Sequence, residues 1–134
     1  MDPDRLKAIP LFSSLSDKAL DTVSVFSSET SVPTGKRLVH QGDYSYELIV
    51  IETGTADVIK GGEVIGSLGP GDVFGEMGML SGGRRMADVV ATSSMRLVTL
   101  SKSDLRRIST EVNDQLQALV EQRQKPDEDR AQLS

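Results

Sequence analysis

Residues 72–91 read DVFGEMGMLSGGRRMADVVA, and nowhere else in the chain do glycines, a carboxylate and paired arginines crowd together between apolar runs. Backbone amides freed of side chains, together with a guanidinium such as Arg85, are what a phosphate group needs. Glu76 is out of place at an anion site unless its carboxylate accepts a hydrogen bond from a hydroxyl of the same ligand. A sugar phosphate offers both groups, so the stretch reads as a site for one.

Working outward, glycine divides the chain into three. All twelve glycines lie between Gly35 and Gly83, leaving both flanks without any. That distribution predicts helical ends around a turn-rich β middle. Within residues 28–100, Val32-Pro33-Thr34-Gly35 is a turn and residues 36–40 a short strand closed by Gln41-Gly42-Asp43. The run Leu48-Ile49-Val50-Ile51 is continuously apolar, as in a strand buried on both faces. Residues 55–59 and 64–68 form two strands around a tight hairpin at Lys60-Gly61-Gly62-Glu63. Gly69-Pro70-Gly71-Asp72 turns the chain into the opening stretch, and residues 87–91 and 95–100 supply two more strands. Strands this short, with turns every 8 to 12 residues, predict a barrel or a double-sheet roll.

Toward the N-terminus, Pro3 suits the first position of a short helix that Pro10 ends. Ser16 is the N-cap of a second helix, with Asp17 favourably placed in its first turn. Ala19, Leu20, Val23 and Phe26 fall on one face of it and are expected to pack. Toward the C-terminus, Ser101 and Ser103 offer caps for a helix with Leu105 and Ile108 inward. Val112, Leu116, Leu119 and Val120 continue it as an amphipathic stripe that Pro126 ends. Residues 1–125 are thus read as one domain and residues 126–134 as a flexible polar tail.

Composition narrows the function classes. A hydrophobic content of 37% and charge of 26% are ordinary for a globular domain, and a formal net charge of −5 disfavours nucleic acid as a partner. The absence of cysteine removes disulfides, thiolate catalysis and iron–sulfur clusters, and a single His40 cannot build a multi-histidine metal site. No nucleophile–base pair speaks for an enzyme. No apolar run reaches the roughly 18 residues that span a bilayer and no secretory signal opens the chain, so a cytoplasmic location is expected. The phosphate motifs G-x-x-x-x-G-K-[ST] and G-x-G-x-x-G are both missing.

Most of the chain resembles the cyclic nucleotide-binding domain family. The resemblance runs through IPLFSSLSDKAL, PTGKRLVHQGD, LIVIETGTADV and IGSLGPGDVFGEMGML, and ends at RRMADVVA and RLVTLSKSDL. Its most specific part is the phosphate-binding cassette, FGE followed by loop residues and then R-x-A, with Glu76 and Arg85 nine apart. Arg84 would leave that spacing one short. The resemblance implies a jelly-roll-like β-roll flanked by N- and C-terminal helices, which senses a cyclic nucleotide without catalysis or metal. It implies a short helix over residues 75–80, including Met77, whose free amides face the cyclic phosphate. Arg85 would grip the exocyclic oxygens and Glu76 the ribose 2′-hydroxyl, while Gly78 and Met86 lend backbone amides. Phe74 and Val89 would pack beneath the loop, with Ala87 closing the motif.

In this family a threonine or serine just after the phosphate arginine favours cyclic GMP. Met86 stands there and has no hydroxyl, so cyclic AMP is the expected ligand. The last helix would be the lid over the base, with Arg123 near its end able to stack on a purine. The effector it would control is not legible. Two rival functions stand beside this one, a degenerate roll used only for protein interaction and an enzyme acting on cyclic nucleotides, and the bland reading of Glu76 and Arg85 is a solvated ion pair worth under about 1 kcal/mol.

Overall fold

The computed structural model describes residues 2–10, 12–43, 47–74, 87–101 and 103–104, together with 114 and 118. The chain enters through two helices whose ends are set by local chemistry. Helix α1 (Pro3–Lys7) carries proline at its first position, and the Asp2 carboxylate caps it by accepting the Asp4 amide at 2.9 Å. Helix α2 (Asp17–Phe26) is capped by the Ser16 hydroxyl, which accepts the Ala19 amide at 3.2 Å. Ala19, Leu20 and Val23 are buried, with Phe26 packed beside them, so the helical spacing read from the sequence identifies the inward face.

Among the described residues eight strands follow: β1 (Ser28–Val32), β2 (Arg37–Val39), β3 (Glu47–Thr53), β4 (Ala56–Lys60), β5 (Glu63–Leu68), β6 (Val73–Phe74), β7 (Asp88–Ala91) and β8 (Met95–Ser101). They form two four-stranded sheets, ordered β1-β8-β3-β6 and β2-β7-β4-β5, with every pairing antiparallel. This is the double-sheet roll. Ser103, Asp104, Asp114 and Ala118 are helical, and the Ser101 hydroxyl accepts the Asp104 amide at 3.0 Å. The rest of the C-terminal stripe, the 75–80 helix and the 126–134 tail lie outside the described residues.

The continuous apolar run in β3 has a physical cause: its sheet is buried on both faces. Leu48 and Val50 join Val98 and Leu100 of β8 against Leu6, Phe12, Leu20 and Val23 of the helical head. Ile49 and Ile51 point the other way, to Val58, Phe74, Val89 and Leu97 between the two sheets. A strand with helices on one face and a second sheet on the other cannot alternate polar with apolar. The chain passes from β3 to β4 at Gly54, which has φ +96°. A Cβ there would lie 2.4 Å from the Ser94 carbonyl oxygen and 2.8 Å from Met95 Cα, both unyielding backbone atoms. Only glycine fits.

An ion cluster ties the helical head to the outer edge of the first sheet. Arg5 of α1 donates to Glu29 of β1 at 2.6 Å and to Glu52 of β3 at 2.7 Å, while Arg96 of β8 stands 3.5 Å from both carboxylates. The hydrogen bond from Arg5 is the main cause holding the Glu29 carboxyl below its ordinary value of 4.5. A depressed carboxylate stabilises the fold fully above its ordinary value, and that contribution is lost as the pH falls through the lowered folded-state value. Urea unfolding between pH 6 and pH 3 should therefore show the wild type losing more stability than Glu29→Gln over the acid limb. Parallel curves for the two proteins would remove Glu29 from the acid response.

Among the described residues, no helix is long and apolar enough to cross a membrane.

Candidate functional site

Segment 75–86 joins β6 of the first sheet to β7 of the second. Its near end is Phe74, which pairs with Ile49 in β3, and its far end is Ala87, which leads directly into β7. Both side chains are 1% exposed and both belong to the apolar cluster between the sheets, together with Val58, Leu68 and Val89. The two ends of the segment are therefore sunk in one core although they belong to different sheets. Val89, read from the sequence as packing near the cassette, is 1% exposed in the same cluster. Gly75, Glu76, Met77, Gly78, Arg85 and Met86 lie outside the described residues, as do Leu116, Leu119, Val120 and Arg123.

The approach to the segment is held by a hydrogen-bonded turn. Asp72 accepts the Gly69 amide through its carboxylate at 2.7 Å and donates its own amide to the Gly69 carbonyl at 3.0 Å. Gly71, at φ +86°, donates to the Ile51 carbonyl at 2.8 Å, and the Ile51 amide donates to the Asp72 carbonyl at 2.9 Å. These bonds lock residues 69–72 onto β3, so the chain reaches Phe74 in one orientation. A glycine at 71 is required because the left-handed backbone conformation is strained for other residues.

The departure from the segment is held differently. Strand β7 is flanked by β2 and β4, with Val89 opposite both Val39 and Val58. Its first residue, Asp88, accepts the Gln41 amide at 2.5 Å, and its other carboxylate oxygen lies 3.9 Å from the Arg37 guanidinium. Gln41 in turn accepts the Gly61 amide at the β4–β5 hairpin through its side-chain oxygen, at 3.4 Å. The sequence places Gln41 in a turn and Asp88 in a strand but does not disclose their contact. Their separation of 47 residues leaves no local pattern, and the only signal was that both lie in the stretches PTGKRLVHQGD and RRMADVVA.

Among the described residues, no three His, Asp or Glu side chains are grouped so as to hold a metal ion. What the described frame offers is a rigid start, a rigid finish and an apolar floor for a segment whose own residues bring amides, a carboxylate and a guanidinium.

Comparison with known proteins agrees with the fold. The model of the family described as "Cyclic nucleotide-binding domain" matches residues 29–111. The cAMP-dependent protein kinase regulatory subunit of Hypocrea atroviridis is 32% identical over 103 residues, which is 77% of this chain and 22% of that protein. The chain spans about a quarter of the length of the kinase regulatory subunits it matches. Among solved structures, the regulatory domain of Toxoplasma gondii PKA, co-crystallised with cAMP, superposes with TM-score 0.69 and 29% identity, covering 84% of this chain and 44% of that one. The regulatory subunit of a cAMP-independent protein kinase A from Trypanosoma brucei superposes with TM-score 0.78 at 21% identity, covering 91% of this chain and 44% of that one. At that identity the likeness speaks for the fold alone.

Proposed function

The chain belongs to the cyclic nucleotide-binding domain family, and on that premise we propose that it is a regulatory sensor whose ligand is cyclic AMP rather than cyclic GMP. The observation that carries this reading is the pairing of Glu76 and Arg85 nine residues apart, inside the matched residues and between Gly75 and Ala87. Arg85 binds the exocyclic phosphate oxygens, Glu76 the ribose 2′-hydroxyl, and the amides around Gly75, Met77, Gly78 and Met86 the remaining phosphate edge. Phe74 and Ala87 anchor the two ends of this segment in the inter-sheet core, which supports a site whose floor is preorganised before ligand arrives. Met86 brings no hydroxyl toward a guanine amino group, hence the adenine preference.

Signalling follows as a population shift: the ligand favours the state in which the last helix, with Arg123, closes over the base. The chemistry is binding, with no bond made or broken in the nucleotide. The effector is a further domain or protein reached through that helix, and the compartment is the cytoplasm.

Thermal unfolding with each nucleotide tests the reading. A ligand at 100 times its Kd stabilises the folded state by about 2.7 kcal/mol, an upward shift on the order of 10 °C for a domain of this size. Cyclic AMP is expected to give that shift at lower concentration than cyclic GMP. Equal potency of the two would overturn the argument from Met86. No shift with either, at millimolar ligand, would return the chain to the reading of a roll kept only for protein interaction.

A further inference from the structure

Asp88 stands three residues after Arg85, so the two Cα atoms lie within about 11 Å of each other by chain reach alone. A carboxylate so near a proposed anion site, in a chain of net charge −5, opposes the ligand unless something neutralises it. It is neutralised: one oxygen takes the Gln41 amide at 2.5 Å and the other faces Arg37 at 3.9 Å, with the side chain only 23% exposed. The ladder between β2 and β7 is short and irregular. It pairs Arg37 with Val90 and Val39 with Val89, with a register shift between them, and goes no further. Asp88 extends the tie beyond the ladder by gripping, with its side chain, the amide of Gln41, the second residue past the end of β2. Through Gln41 the grip reaches Gly61 at the tip of the β4–β5 hairpin. Two contacts thus meet on Asp88, at the start of β7, and a third runs on from Gln41 to the hairpin.

The geometry points to Asp88 as a positioning residue for cyclic nucleotide, an inference that rests on the function proposed above. By clamping the Gln41 amide it fixes the start of β7, three residues after Arg85 in the chain. A fixed re-entry point lowers the ordering cost that binding must meet. What the clamp needs is an acceptor oxygen at that spot, not the negative charge.

Calorimetric titration of the full chain with cyclic AMP separates these requirements. Asp88→Ala is expected to weaken binding by about 5- to 12-fold, the scale of one ordinary hydrogen bond, while Asp88→Asn, whose amide oxygen still accepts, stays within about threefold of wild type. Amide hydrogen exchange adds a readout at the clamp itself: Gln41 should exchange faster in Asp88→Ala and near the wild-type rate in Asp88→Asn. If Asp88→Ala does not fold, Asp88→Glu replaces it, because the added methylene displaces the acceptor and should weaken binding where Asn does not. Wild-type affinity in Asp88→Ala (or in its replacement, Asp88→Glu) overturns the inference alone, and so does an equal loss in Asp88→Asn, which would assign the effect to charge. A wild-type chain that binds no cyclic nucleotide overturns the proposed function and this inference together.

Discussion

Arg85→Ala is expected to weaken cyclic AMP binding by about 2–4 kcal/mol, or roughly 30- to 1,000-fold, with little change in the stability of the unliganded fold. The size follows from what replaces the guanidinium. A phosphate held in a partly dry site loses two charge-assisted bonds and keeps only backbone amides. The chain offers no compensation from afar, because its net charge of −5 repels the ligand. Arg84→Ala is the control. It removes the same charge one position earlier, outside the cassette spacing, and should cost less than about threefold because a charge that does not touch the ligand contributes mainly through the screened general field. Arg85→Lys keeps the charge without the two-pronged geometry and should fall between. Isothermal titration of the three variants decides the matter. Unchanged affinity in Arg85→Ala, or a larger loss in Arg84→Ala, would take the phosphate contact away from Arg85.

What the sequence revealed, and what it hid, divides along the range of the interactions involved. The Ser16 cap, the Lys60–Glu63 hairpin and the Gly69–Asp72 turn are each made by residues within a few positions of one another, and each stands where local reading put it. The run at Leu48–Ile51 disclosed a doubly buried strand because burial on both faces abolishes alternation. Strand β1, by contrast, reads SETSV and is mostly exposed, pairing among the described residues only with β8; an edge strand facing water carries no apolar period to find. Strand β6 is two residues long, too short for any period. Boundaries moved by a residue where pairing rather than composition decides them, as in β2, which runs Arg37–Val39 rather than over 36–40.

The same division holds for the candidate site. Glu76 and Arg85 can be proposed as a pair because one continuous segment carries both, so their spacing is present in the sequence. The clamp from Asp88 to Gln41 and the contacts from Arg5 to Glu29 and Glu52 join residues 47, 24 and 47 apart, and only the fold brings them together. None of these pairs shares a helix face or a hairpin, so no periodicity links them.

Truncating two phenylalanines should separate the part of the core that serves the ligand from the part that serves only the fold. Phe12 is 0% exposed in the cluster between the helical head and the first sheet, and Phe74 is 1% exposed in the cluster between the sheets. Each mutation to alanine removes a buried ring and should cost about 3–5 kcal/mol of stability, a large share of the 5–15 kcal/mol typical of a domain. Their effects on ligand should differ. Phe74 opens the proposed cassette and shares its cluster with Ala87 and Val89, so its loss should loosen both ends of the proposed ligand segment at once. Phe74→Ala is expected to weaken cyclic AMP binding by about tenfold or more in the folded population, whereas Phe12→Ala should stay within about threefold. Chemical denaturation gives the stabilities, and titration at a temperature where both variants are folded gives the affinities. Should alanine at 74 leave too little folded protein, Phe74→Leu keeps most of the volume and should show the same affinity loss in smaller measure. Equal affinity losses from the two clusters would mean that binding follows global stability and that Phe74 has no privileged place beneath the site.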